Sequence, residues 1–275
     1  MMKLRWLTAL VLLLAVHAWA GTTVKTSQAA PPAQQGTLVL VAGASGDTGQ
    51  HIVRTLLAEG YQVRALTTNA FRARERTGLD IDWVEFDVRD AAQVVSVMKG
   101  VDYVISAIGS RDWRGPNSPR YVDFGGVRNL VDAARSEGVK HFVLISSAAA
   151  GPHRDHSESP RLGYVLYWKT RGENHLRASG LDYTIIGPGG LVNGPAARSG
   201  IRITSRADYR RGLIARADVA RLATASLTAP AARNKSFAAV NDDELGPDHW
   251  IADLRALAPD AQTEAAARNV AEGEQ

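Results

Sequence analysis

The stretch Thr37–Gly49, TLVLVAGASGDTG, decides the fold. A short apolar run ends in Gly43, Gly46 and Gly49, and Ile52, Val53, Leu56 and Leu57 follow at helical spacing. Strand, glycine turn and helix in that order are what a dinucleotide phosphate site requires. Gly43 permits a tight turn off the strand, Gly46 lets a pyrophosphate approach the backbone, and Gly49 lets the helix pack close to the strand. The first N–H groups and the positive end of the helix then face the anion. The other reading of such a triplet is a glycine turn with no ligand. Its place between a strand and a helix favours the phosphate site.

Further along, the pattern repeats. Tyr61–Thr67 alternates like a strand and Ile81–Phe86 reads as a third. Val101–Ile108 is a fourth, apolar enough to be covered on both faces. His141–Ile145 and Asp182–Ile186 read as the fifth and sixth. Helical periodicity lies between them at Ala91–Met98, Val122–Ser136 and Leu166–Ser179. Such alternation predicts an α/β fold: a Rossmann-type, doubly wound parallel sheet in the order 3-2-1-4-5-6, helices on both faces, in a single domain. Beyond Gly187 the signal weakens to a helix over Asp218–Leu227 and a strand over Ser236–Val240, small elements on the substrate side.

The composition, 45% hydrophobic and 22% charged over 275 residues, suits one sizeable core with extensions. Residues 1–20 read as a secretory signal peptide: Lys3 and Arg5, then apolar Leu7–Val16, then Ala18-Trp19-Ala20 before Gly21. This predicts an exported, periplasmic or secreted protein. The alternative is an uncleaved N-terminal anchor, the only expected membrane contact. Residues 21–36 read as a flexible linker, 37–257 as the domain and 258–275 as a polar tail. Loss of Lys3 and Arg5 lowers the formal charge from +4 to +2, with no basic run interleaved with aromatics, so no nucleic-acid partner is expected. The absence of cysteine excludes disulfides and thiolate metal sites.

A set of motifs, taken together, resembles the atypical short-chain dehydrogenase/reductases of the NmrA-like, NAD(P)-binding branch. They are GASGDTG (Gly43–Gly49), FDVRD (Phe86–Asp90), VDYVISAIG (Val101–Gly109), the segment Val122–Ser147, Lys169 with Glu173–Ile186, PGGL (Pro188–Leu191) and RADVA (Arg216–Ala220). The resemblance covers roughly residues 37–230. It implies a nucleotide held by the turn that includes Gly43, Ser45, Gly46, Asp47, Thr48 and Gly49. It places Asp87 and Val88 near the adenine, and Ala107, Ile108 and Gly109 along the groove. It puts Pro188, Gly189 and Gly190 beside the nicotinamide, and Lys169 on the ribose. The family's RPGG segment stands here as Gly187-Pro188-Gly189-Gly190, without its Arg.

A NAD-selective site places an acid at the end of the second strand. Here that end reads Leu66-Thr67-Thr68-Asn69, and Arg72, Arg74 and Arg76 follow. No charge repels a 2′-phosphate there, and the arginines are either its partners or a solvated helix face. The expected cofactor is NADP, with NAD as the alternative. Thr68 stands where the family often has Arg.

The resemblance also implies a Ser, Tyr and Lys centre, with Tyr four residues before Lys on one helix face. Ser147 and Lys169 are in place, but the fourth residue before Lys169 is Val165. Tyr164 and Tyr167 lie roughly 140° and 160° around the helix from the lysine at about 100° per residue. Tyr164 becomes a proton donor only if the first turn is irregular. Otherwise both tyrosines pack at the helix start. His153 and His156 stand in a Pro- and Gly-flanked stretch with ligand-type residues at short spacing, which reads as a solvated substrate-side loop rather than a metal site, so no metal is expected. Trp113 either stacks on a planar substrate or caps the core edge. Asp123 and Asn129 sit on a helix that packs or pairs with a partner. Two functions follow: an NAD(P)H-dependent oxidoreductase lacking the usual Tyr, acting on a small-molecule substrate for which a large planar acceptor is one candidate, or a non-catalytic NAD(P)-binding sensor or assembly protein.

Overall fold

In the computed structural model, residues 36–151 and 160–261 are described. The expected signal peptide, nearly all of the linker, the His153 and His156 loop and residues 262–275 lie outside them. The chain runs β1 (Leu38–Ala42), α1 (Asp47–Ala58), β2 (Gln62–Thr67), α2 (Ala70–Thr77), β3 (Asp82–Glu85), α3 (Ala91–Met98) and β4 (Tyr103–Ser106). A π-helical stretch (Arg120–Gly126) opens into α4 (Val127–Ser136), then β5 (His141–Ile145), α5 (Pro160–Ala178) and β6 (Tyr183–Pro188). β7 (Gly190–Val192), β8 (Gly200–Thr204), β9 (Leu213–Ala215), α6 (Arg216–Ser226), β10 (Lys235–Asp242) and α7 (Trp250–Ala256) complete it.

The main sheet has the order β3-β2-β1-β4-β5-β6-β10-β8. Its first six strands are parallel in the expected 3-2-1-4-5-6 order. β10 adds in parallel to β6, and β8 closes the edge antiparallel to β10. β7 and β9 form a separate parallel pair. Both faces of the sheet are covered, which is why its strands read as near-continuous apolar runs. Val39 and Val41 face one core with Ile52 and Leu56 of α1 and Val219 and Leu222 of α6. Leu40 and Ala42 face the other, with Met98 of α3, Leu130 of α4 and Leu176 of α5.

Several boundaries differ from expectation for identifiable reasons. The helix expected over Val122–Ser136 begins as a π-helix, where Gly125 and Gly126 interrupt the α pattern. A Cβ on Gly126 would come within 2.3 Å of Val88, so this glycine lets the β3–α3 loop approach. Helix α5 starts at Pro160, six residues before the expected Leu166, because proline suits the first helical turn. Asp260, just past the expected domain end at residue 257, is anchored in the domain: it accepts from the Ser236 amide at 3.0 Å and the Tyr183 hydroxyl at 2.9 Å.

Candidate functional site

At the C-terminal end of the sheet β1 stops at Ala42 and the chain turns through Gly43, whose φ is +78°. A Cβ there would lie 2.7 Å from the Ala107 carbonyl oxygen, and one on Gly49 would lie 2.1 Å from the Gly43 oxygen. Only glycine permits this spacing between β1, β4 and α1. Gly46 precedes α1 and supplies no side-chain cap, so the first N–H groups of a twelve-residue helix are left for another acceptor. The cradle therefore fits a dinucleotide phosphate in both shape and donor set.

From this turn a groove of about 750 Å³ runs outward over the end of β2. Ten of the expected cofactor residues line it together: Gly43, Ser45, Gly46, Thr68, Arg72, Asp87, Val88, Ala107, Ile108 and Gly109. Asp47, Thr48, Gly49, Lys169 and Pro188–Gly190 are outside that lining. Gly49 lies beneath the turn, and Asp47 forms an ion pair with Arg76. Ser45 and Thr67 share a hydrogen bond of 3.0 Å between their hydroxyls. Asn69 caps α2, accepting from the Arg72 amide at 2.8 Å. That cap turns Arg72 and Arg76 to the groove, while Arg74 is not among its lining residues. Arg72 makes no ion pair among the described residues.

Lys169 reaches the same region from α5. Its Nζ lies 3.8 Å from the place a Gly109 Cβ would occupy and 2.7 Å from Asp123 Oδ1. Asp123 is buried in the π-helix, and its other oxygen accepts the Ser110 amide at 2.9 Å. The carboxylate thus fixes both the ammonium and the backbone just after β4. Ser147 follows β5, and its Oγ accepts from the Ala149 amide at 3.3 Å. Val165 stands one helical turn before Lys169, while the Tyr164 ring lines a neighbouring cleft and packs edge-on against Trp168.

The Pro188–Gly190 loop is held from three sides. Ala148 donates to the Pro188 carbonyl, Gly189 donates to Ala239, and Gly190 donates to Gly212, each at 2.9 Å. The space a side chain at Gly187 would take is filled by Arg206, whose Nη1 would be 1.4 Å from a Cβ there. Arg206 pairs at 2.5 Å with fully buried Glu173, which also binds Arg177 at 3.0 Å and accepts from the Ser146 hydroxyl at 2.5 Å. Burial pushes the Glu173 carboxyl up, but Arg206, Arg177 and Ser146 outweigh it and hold the group below its usual 4.5.

A family profile described as NAD(P)H-binding matches residues 43–230. The chain belongs to this NAD(P)H-binding family. Its match begins at the first glycine of the turn and runs to the residue after α6 and its C-terminal turn. The chain is 34% identical over 174 residues to protein TIC 62, chloroplastic, of Pisum sativum, covering 56% of this chain and 33% of that protein. It is 31% identical over 242 residues to sanguinarine reductase of Eschscholzia californica, covering 72% of this chain and 87% of the relative. Among solved structures it resembles the anaerobilin reductase ChuY of Escherichia coli O157:H7, with a TM-score of 0.63 at 26% identity over 77% of this chain and all of that one. The chain thus spans about a third of the pea protein, but most of both reductases.

Some features of this candidate site were not assigned from sequence. The Asp123 partnership with Lys169 and the Asn129 hydrogen bond to the Val88 carbonyl at 2.9 Å needed the fold. Arg89 chelates Asp87 through Nε and Nη2 and donates to the Pro116 carbonyl at 2.9 Å. That Arg89 pairing holds the Asp87 carboxyl below its usual range. The only advance signal was the density of charge in FDVRD.

Proposed function

We propose that this protein is an NADPH-dependent reductase of a small, planar, already electrophilic acceptor. The observation that carries the reading is the glycine cradle joined in one groove to Arg72, with Lys169 fixed beside Gly109. When bound, the cofactor supplies a hydride. The α1 N-terminus and the Gly43–Gly49 turn hold its pyrophosphate. Arg72, with Thr68 and Ser45 beside it, receives the 2′-phosphate. Lys169, oriented by Asp123, donates N–H bonds to ribose hydroxyls, and the Pro188–Gly190 loop gives the nicotinamide edge a rigid wall. Ser147 donates to the acceptor oxygen.

No phenol stands a turn before Lys169, so this reading draws the proton from solvent and confines turnover to acceptors that need no general acid. That two relatives are reductases by name supports it. Calorimetric titration tests the cofactor: NADPH binds more tightly than NADH, and Arg72→Glu removes that preference. Tighter binding of NADH to the unaltered protein would sink the NADPH assignment. NADPH consumption with flavin, quinone and carbonyl acceptors tests the reduction, and silence across that panel would sink the enzyme reading.

Val165, standing where a proton-donating tyrosine would be needed, favours a second reading, a non-catalytic NAD(P)-binding sensor or assembly protein. Its mark is a partner retained differently with and without NADPH. We also read residues 1–20 as an export signal, supported by the order of charge, apolar run and small-residue cleavage site. A mature N-terminus at Gly21 is the expected mass-spectrometric result. Among the described residues no helix is long and apolar enough to cross a membrane.

A further inference from the structure

The loop between β4 and the π-helix is a partition. Ser110, Arg111, Asp112 and Asn117 face the cofactor groove. Trp113–Pro116 and Ser118 face outward into a second cleft of about 930 Å³, bounded across by Tyr121 and by Tyr164 of α5. Asp87 and Arg89 belong to the walls of both. Arg89 holds the partition in place through the Pro116 carbonyl.

This second cleft has a composition that calls for explanation. Trp113, Tyr121 and Tyr164 are 42%, 48% and 38% exposed, so each presents aromatic surface to the cleft. Arg114 lies over the Trp113 ring at 3.9 Å, and Arg120 lies 5.8 Å from the Tyr121 ring. Neither guanidinium has a carboxylate partner among the described residues. Arg89 is neutralised by Asp87, and Asp90 is engaged as the cap of α3 through the Ala92 and Gln93 amides. Asp90 keeps its negative charge in that role, so the lining sets Arg89, Arg114 and Arg120 against Asp87 and Asp90, a surplus of one positive charge. Arginine fixed against an aromatic ring keeps its N–H edge free for an anionic oxygen while the ring stacks on a flat apolar body. The volume is that of a small-molecule site.

We propose that this cleft is a second ligand site, for a small planar aromatic anion, beside the adenine end of the cofactor groove and separate from it. No step of the reduction proposed above uses it, so it stands or falls independently. Pyrene-1-sulfonate is a suitable probe, followed by fluorescence anisotropy on the full-length protein. The expected result is saturable binding of one probe per chain, persisting with NADPH at saturation. The cationic analogue pyrene-1-methylammonium binds at least about fivefold more weakly. Trp113→Ala and Arg120→Gln, both at exposed positions, each raise the probe Kd by about fivefold or more. Phe71→Ala, an exposed aromatic on α2 away from the cleft, leaves it unchanged.

Four results would each overturn the proposal. They are no binding; displacement by NADPH that grows without a plateau, which places the probe in the cofactor groove; equal binding of the cation; and a loss at Phe71 equal to that at Trp113, which reports general surface adhesion. A circular dichroism spectrum matching the unaltered protein qualifies each variant.

Discussion

Replacing Arg206 with Leu isolates the contribution of the buried charge network. Arg206 and Glu173 are almost fully withdrawn from water and lie 2.5 Å apart. Removing one partner of such a pair costs about 3–5 kcal/mol, because the remaining charge is left without compensation. Glu173 keeps Arg177 at 3.0 Å and Ser146, which places the loss near the lower end, about 3 kcal/mol. A domain of this size loses roughly 2–4 °C of Tm per kcal/mol, so a fall of about 6–12 °C is expected.

The pH dependence separates charge from shape. In the unaltered protein Glu173 is held below 4.5. Its contribution is fully present above the unfolded value and disappears as pH falls through the lower folded value. In the variant the burial penalty is less compensated, and the folded value moves upward. The gap in Tm between the two proteins is therefore widest near ~pH 8 and narrows toward ~pH 5, as Glu173 takes up a proton. Scanning calorimetry across that range is the assay. A Tm difference that stays constant with pH would refute the electrostatic reasoning and leave only lost packing.

Other perturbations test neighbouring parts. Gly49→Ala drives a methyl toward the Gly43 carbonyl, at 2.1 Å before relaxation, and is expected to weaken NADPH binding at least about tenfold by forcing α1 off β1. Lys169→Met strands Asp123 and is expected to cost about 3 kcal/mol by denaturant unfolding. Adding Asp123→Leu recovers much of that stability but none of the NADPH affinity, whereas recovery of both would argue that Lys169 has no part in the groove. His141 is buried against Thr184 at 2.9 Å, and burial pushes its pKa from 6.5 down to about 4. The unfolded chain therefore binds the proton first, and stability falls by about 3 kcal/mol in total as pH drops from 6.5 through 4. His141→Gln is expected to flatten this part of the acid melting curve.

β1, β4, β5 and β6 were legible because burial on both faces puts Leu40, Val104 and Phe142 in near-continuous apolar runs, and β2 and β3 because exposed Gln62, Asp82 and Glu85 alternate with buried Val63 and Trp83. Their order follows from the handedness of each crossover. β8, the β7–β9 pair and α7 were not legible. Their strands are three to five residues long, and residues such as Gly190 and Leu213 are held by backbone bonds to distant segments rather than by a periodic face. The phosphate turn was readable because glycine has few other reasons to recur at that spacing. The Lys169–Asp123 pair was not, since 45 residues of intervening chain carry no trace of which carboxylate a lysine meets. Tyr164 shows the limit of helical-wheel reasoning. The wheel separated it from Lys169, but only the fold showed that the ring borders another cleft.

The guanidinium lodged against Gly187 constrains the history of the chain as well as its stability. A side chain gained at 187 meets the Arg206 guanidinium, and loss of Arg206 leaves buried Glu173 with Arg177 and Ser146 alone. These three positions, far apart in sequence, behave as one inherited character. Each single step away from the present state meets either a collision or a weakened charge pair, so a change at 187, 173 or 206 is eased by a change at one of the others.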